Sequence, residues 1–276
     1  MAEAATAVPV ATGRRRWPSG PTFQRWFLGG WTLLVFAFLY IPILLLVVFS
    51  FNRSKLGIRW TGFTTEWYGK LFSNKSLLDS FYNSLIVASV TTVLATLFGT
   101  IGAWLLFRYK FPARRMLGLL IFIPMVMPEV LMGSSLRLLV VAVGGSLGYI
   151  AMIIAHTTFC FPFVLVGVQA RLEGIDPSLE EAAMDLGATP VEAFWKVIVP
   201  YLMPAIVAGA LMSFTLSFDE YIVSVFLSDA TSQTLPLKVY GMVKKGLSPE
   251  LNALSTIFIV ATFFLVLITQ VIKKRP

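Results

Sequence analysis

The sequence predicts an all-α integral membrane protein of six transmembrane helices. Three observations carry this: 57% of the 276 residues are hydrophobic, only 13% are charged, and mean hydropathy is +0.80. A soluble domain carries about 25% charged residues, so the deficit is too large for a soluble core. A membrane span needs about 20 predominantly apolar residues, and the chain supplies such runs repeatedly.

Residues 1–26, with Arg14-Arg15-Arg16, read as a disordered cytoplasmic tail, and 27–276 as the six-helix domain. The apolar run behind the tail is too long for a signal-peptide core and lacks a small-residue cleavage site, so it reads as an uncleaved anchor. The first span is expected over Phe27 to Phe51 and the second over Phe81 to Phe107, both uncharged. From Met116 to Ala170 only Glu129, Arg137 and His156 interrupt the apolar run, enough for two spans. Gly144-Gly145-Ser146-Leu147-Gly148 divides them by a tight turn. The fifth span is expected from Tyr201 to Leu227 and the sixth from Leu251 to Ile272.

The net charge of +8 does not indicate a nucleic-acid partner, because Lys and Arg cluster beside the apolar runs as topology determinants do. With the N-terminus inside, the inner segments hold 13 Lys and Arg and the outer loops 8, so both termini are expected in the cytoplasm. Trp60, Trp67 and Tyr68 of the first outer loop read as interfacial aromatics. The single cysteine, Cys160, offers neither a disulfide framework nor a cysteine metal site, and no metal is expected.

The stretch 177–199 is different in kind: a pair of short, punctuated helices between two spans. Asp176 is placed to cap the first, with Pro177 at its first position. Leu179, Ala182, Ala183 and Leu186 make an apolar stripe, and Gly187 suits the left-handed C′ position. Thr189, Pro190 and Glu192 compose a capping box for the second helix, whose stripe is Val191, Phe194, Trp195 and Ile198. Pro200 is expected to end or kink it before the fifth span. The pair also reads as an amphipathic connector lying on the bilayer. Interfacial helices favour Lys and Arg on their polar face, however, and this one is acidic, which fits a protein partner better.

Glu181-Ala182-Ala183, Gly187 and Val197-Ile198-Val199-Pro200 resemble the Glu-Ala-Ala loop of ABC importer permeases, with Val at two aliphatic positions. Ser213 to Glu220, Leu235 to Tyr240, Pro249 to Leu254, Pro124 to Val130 and His156 to Cys160 are similar to the second permease subunit of spermidine/putrescine importers. The resemblance implies a type I ABC importer permease (MetI-like) architecture in a bacterial inner membrane. It implies that Glu181, Ala182, Ala183, Asp185, Gly187 and Pro200 couple the chain to an ATPase. The implied partners are a homologous permease subunit, two ATPase subunits that bind ATP and Mg, an extracytoplasmic substrate-binding protein and membrane lipid. The chain has no G-x-x-x-x-G-K-[ST] phosphate loop, so it carries no cofactor and is expected not to be an enzyme.

Charges inside a span cost roughly 2.5–3.5 kcal/mol each and usually face a cavity or a partner. At about 1.5 Å per residue in a core near 30 Å thick, Glu129 and His156 fall roughly 10 Å below the outer surface. Asp219 and Glu220 fall close to the outer boundary. Glu129, Asp219 and Glu220, with His156 less favoured, are therefore the candidate pathway for an organic polycation. Pro124 and Pro128 bracket Glu129 and are expected to loosen the helix there. Adjacent residues on a helix point about 100° apart, so only one of Asp219 and Glu220 faces the pathway squarely. Glu129 reads equally as the partner of Arg137 or of a partner subunit, and His156 as a hydrogen-bonded packing residue. The function expected is half of the translocation path for polyamines, working by alternating access. The alternatives are an ABC permease for another small solute and an ion-coupled secondary transporter.

Overall fold

Apolar runs long enough to span a bilayer must satisfy their own backbone, and the chain does so with helices. The computed structural model describes residues 22–55, 59–176, 178–246 and 248–273. In order these form α1 (Thr22–Phe49), α2 (Glu66–Ser73), α3 (Lys75–Arg108), α4 (Arg114–Val126), α5 (Glu129–Ala142) and α6 (Tyr149–Leu172). There follow α7 (Ser178–Asp185), α8 (Pro190–Ala193), a π-helical turn (Phe194–Ile198), α9 (Val199–Asp219), α10 (Ile222–Leu227), α11 (Leu235–Lys244) and α12 (Pro249–Lys273). The expected tail falls outside the described residues up to position 21, and α1 begins ahead of Phe27, at Thr22.

Four helices among the described residues are long and apolar enough to cross a membrane: α1, α3, α6 and the continuous rod Pro190–Asp219. The third expected span is not straight. The axes of α4 and α5 differ by 108°, and the pair makes a fifth span if counted as one. Met127 is extended (ψ 133°) because the residue before a proline is driven out of the α region, and Pro128 follows it into the break. α12 lies where the sixth span is expected, but its apolar stretch, Pro249–Phe264, is shorter than a full span, so the described residues hold four spans, or five with the bent pair.

The fifth span departs from expectation at both ends. Pro200 does not stop the helix. It lacks an N–H and its ring crowds the carbonyl four residues back, and the wider π turn accommodates this so that the rod continues. At the other end α9 stops at Asp219, where Glu220 turns extended (ψ 115°) before α10. A further helix, α11, lies in what hydropathy reads as a plain loop.

The core is where α3, α6 and α9 meet. Val164 of α6 is fully buried and sits against Gly99 of α3 and Gly209 of α9. A Cβ on Gly99 would lie 2.6 Å from the Val164 Cβ, and one on Gly209 would lie 3.2 Å from the Val164 Cα. Lipid supplies no hydrophobic drive between helices, so close backbone approach at small residues does that work. Ala88, Ala95 and Ala103 extend the buried small-residue face along α3. A second cluster joins Trp67, Leu71, Leu77, Leu235, Ala253 and Leu254 of α2, α3, α11 and α12. Trp67 and Tyr68 are thus packing residues rather than interfacial anchors. The Trp67 indole donates to the Asn52 carbonyl (2.7 Å), the Tyr68 hydroxyl pairs with that of Ser50 (2.8 Å), and only Trp60 of the three is exposed.

Gly99→Ala sets helix propensity, a gain of about 1 kcal/mol, against overpacking, a loss of about 1–3 kcal/mol. Overpacking should win, because the clash involves backbone as well as side chain, and the unfolding midpoint in detergent should fall. Gly118→Ala on α4, where nothing lies within 4 Å, should leave the midpoint unchanged or raise it.

Candidate functional site

At one end of the bundle, α7 and α8 form a built platform. The Asp176 carboxylate accepts the Ser178 N–H (2.9 Å), which holds its pKa below the usual carboxylate range. Pro177 lies outside the described residues. Gly187 takes a φ of +91°, and the Ala188 N–H reaches back to the Ala183 carbonyl (3.1 Å), closing α7. The capping box forms as the sequence indicates: Thr189 Oγ1 accepts the Glu192 N–H (3.3 Å) and Glu192 Oε2 accepts the Thr189 N–H (3.0 Å).

The platform is tied to the bundle at three points. Arg108, the last residue of α3, donates from Nε to Glu180 Oε1 (2.9 Å), and Glu180 is turned inward. Phe194 is buried with its ring 4.5 Å from that of Trp104. The Tyr201 hydroxyl donates to the Gly174 carbonyl (3.2 Å), while Arg171 lies over the Tyr201 ring. The stripes therefore split. Phe194 and Ile198 are buried, whereas Leu179, Leu186 (91% exposed), Val191 and Trp195 face outward with Glu181, Ala182 and Asp185. Ala183 is half-buried and Pro200 is exposed. An apolar surface with acidic members suits a protein partner carrying apolar and basic groups.

The four candidate pathway residues occupy the far end and play different parts. Glu129 is the first residue of α5, where a carboxylate complements the helix dipole. The bend between α4 and α5 removes the depth that a straight helix assigns to it. Glu129 does not pair with Arg137, which instead donates to the Phe226 carbonyl at 2.9 Å. Glu220 is buried and its Oε1 accepts the Val223 N–H (2.8 Å), fixing the start of α10. Asp219 is exposed. Among the described residues neither Glu129 nor Asp219 has an ion pair or hydrogen bond through its carboxylate. His156 is fully buried, with Nδ1 2.8 Å from Ser217 Oγ of α9 and Nε2 3.1 Å from Ser224 Oγ of α10. It bridges the two elements on either side of the Asp219-Glu220 turn.

Sequence reasoning missed the network that closes this end. Asn83 of α3 donates to the carbonyls of Thr231 (3.1 Å) and Gln233 (2.9 Å) and accepts from the Tyr149 hydroxyl (2.5 Å). Ser84 accepts the Leu235 N–H (2.8 Å). The loop so held folds around Asp229, whose Oδ1 accepts from the side chains and N–H groups of Ser232 and Thr231; these bonds, with the Ser232 hydroxyl foremost, hold the carboxyl down at about 2. The only signal was an Asn-Ser pair inside an apolar run.

Residues 95–275 match a family model described as binding-protein-dependent transport system inner membrane component. The spermidine/putrescine transport system permease protein PotC of Escherichia coli (strain K12) is 44% identical over 246 residues, 89% of this chain and 93% of its own. The putrescine transport system permease protein PotI of the same strain is 42% identical over 234 residues, 82% and 83% of the two chains. Among solved structures, a bacterial ABC transporter involved in import of the acidic polysaccharide alginate aligns with a TM-score of 0.69. The match is 19% identical and covers 94% of this chain and 99% of that one. The inward-facing MetNI methionine ABC transporter aligns with a TM-score of 0.58 at 20% identity, covering 70% and 92%. At these identities the structural likeness concerns the fold.

Two outcomes follow from the geometry. A double-mutant cycle of Arg108→Gln and Glu180→Gln should return a coupling of about 1 kcal/mol, with faster amide exchange across α7 in each single variant. Asp229 titrates lower when folded than when unfolded, so its stabilisation of the loop is complete above its ordinary value near 3.8 and lost as pH falls through about 2. Amide exchange at Thr231 and Ser232, corrected for intrinsic rates, should therefore be the same at pH 7 and pH 5.

Proposed function

Because the chain belongs to the family of binding-protein-dependent transport system inner membrane components, we propose that it is the permease subunit of an ATP-driven importer whose cargo is a polyamine. The observation that carries the reading is the pairing of two features at opposite ends of one bundle. One is an anchored platform with an exposed apolar and acidic face. The other is a pair of carboxylates, Glu129 and Asp219, with no partners among the described residues. Relatives named for spermidine and putrescine supply the cargo class.

The platform end faces the cytoplasm, with both termini on that side, and α7 docks in a groove of an ATPase subunit. Glu181 and Asp185 meet basic groups there, Ala182 and Ala183 allow close approach, and Gly187 and Pro200 set the shape. ATP and Mg belong to the two ATPase subunits, and this chain supplies no phosphate loop. A homologous permease completes the path, and a binding protein delivers cargo to the Asp219 end. ATP-driven closure of the ATPase pair shifts the permease between two states, which works only if cargo or nucleotide binds them unequally. In the state open to the binding protein, Glu129 and Asp219 replace part of the hydration of the cargo's ammonium groups. Glu220 and His156 act behind them by fixing the turn that aims Asp219.

Vesicles containing the full complex should show saturable, ATP-dependent uptake of putrescine or spermidine and no uptake of unrelated anionic solutes. Uptake driven by an ion gradient without the ATPase subunits would sink the reading. Asp219→Asn should lower kcat/KM by about tenfold, the loss of one charge-assisted contact, with assembly intact. Glu181→Lys should abolish co-purification of the ATPase while leaving the chain in the membrane.

A further inference from the structure

Beside Asp219 lies a cavity of about 750 Å³ between α9, α11 and α12. Its walls are largely apolar, including Phe214, Phe218, Val239 and Phe258, and two tyrosines, Tyr221 and Tyr240, stand with Asp219. The tyrosine rings are 4.6 Å apart between centroids at 42°. Over Tyr240, 4.9 Å from its centroid, sits Nζ of Lys244, the last residue of α11. Among the described residues Lys244 has no carboxylate partner, and the ring is the only contact its ammonium makes. Asp219, lining the same cavity, has no cationic partner among the described residues.

An ammonium resting on a ring that lines the same cavity as an exposed carboxylate is an arrangement suited to the exchange of one cation for another. Resting on the polyamine reading, we propose that Asp219, Tyr221 and Tyr240 form a transient station for an ammonium group of the cargo, with Lys244 as a resident cation that the cargo displaces. The carboxylate supplies charge, the ring faces replace water around the ammonium, and the apolar walls receive the alkyl chain between ammonium groups. Aromatic faces hold a cation loosely, as a transport path requires: binding must be strong enough to admit cargo and weak enough to release it. The tyrosines set a preference for alkyl ammonium groups over strongly hydrated inorganic cations. Lys244 keeps the rings covered when no cargo is present.

The test uses the assembled complex in vesicles, with labelled putrescine and spermidine as probes and co-purification of all subunits as the check on folding. Tyr240→Leu should raise KM by about fivefold, the loss of one partly desolvated ring contact, and Tyr240→Phe, which keeps the ring, should raise it less. Lys244→Gln, at an exposed position, should lower KM by removing the competitor. Wild-type KM in Tyr240→Leu, or a raised KM in Lys244→Gln, overturns the station while leaving the transporter reading intact. An assembled wild-type complex that takes up no polyamine overturns both.

Discussion

The close meeting of α3, α6 and α9 around Val164 is the constraint on which the rest of the molecule depends. Gly99 and Gly209 bring two backbones against one valine; a Cβ at Gly99 would force a shift, and one at Gly209 would be tight. In lipid, where apolar side chains gain nothing by leaving acyl tails for one another, such proximity holds helices together through dispersion and backbone fit. It also fixes the rotation of all three helices. That rotation places His156 between Ser217 and Ser224, sets Arg108 at the end of α3 beneath Glu180, and aims Asn83 at the loop before α11.

The polar groups at the two ends then divide into those that are satisfied and those that are not. Buried polar groups in a membrane bundle are expensive unless paired. Glu220, His156 and Asn83 are paired and hold shape, while Glu129 and Asp219 have no carboxylate partner among the described residues. The same division appears at the platform, where Glu180 is used internally and Glu181 is not. Adjacent acids in the sequence thus serve different purposes because a turn or a helical step of about 100° separates them.

Much of this was legible in the sequence. Hydropathy located four long spans among the described residues, and the helix punctuation of 177–199 indicated the capping box and the Gly187 terminus residue by residue, because those signals are local. What escaped was either angular or long-range. Pro124 and Pro128 announced a weakness near Glu129, but composition carries no information about a 108° bend. Trp67 looked interfacial because hydropathy cannot see that Asn52 offers it a carbonyl. Pro200 looked like a terminator because the π turn that accommodates it has no sequence signature of its own. The exposure of Asp219 and burial of Glu220 depend on the backbone turn at Glu220, which the run of apolar residues on both sides concealed.

The rod Pro190–Asp219 runs without a break from the platform to the unpaired carboxylate. At about 1.5 Å per residue its 30 residues measure about 45 Å, longer than the hydrocarbon core. The anchored platform and Asp219 are therefore two ends of one strut, and a displacement at Trp195 needs no relay to reach Asp219. The π turn sets the azimuth of one end against the other, since each added residue rotates everything beyond it by about 100°. It works as a phase adjuster, the element that decides which way the carboxylate looks when the platform is seated.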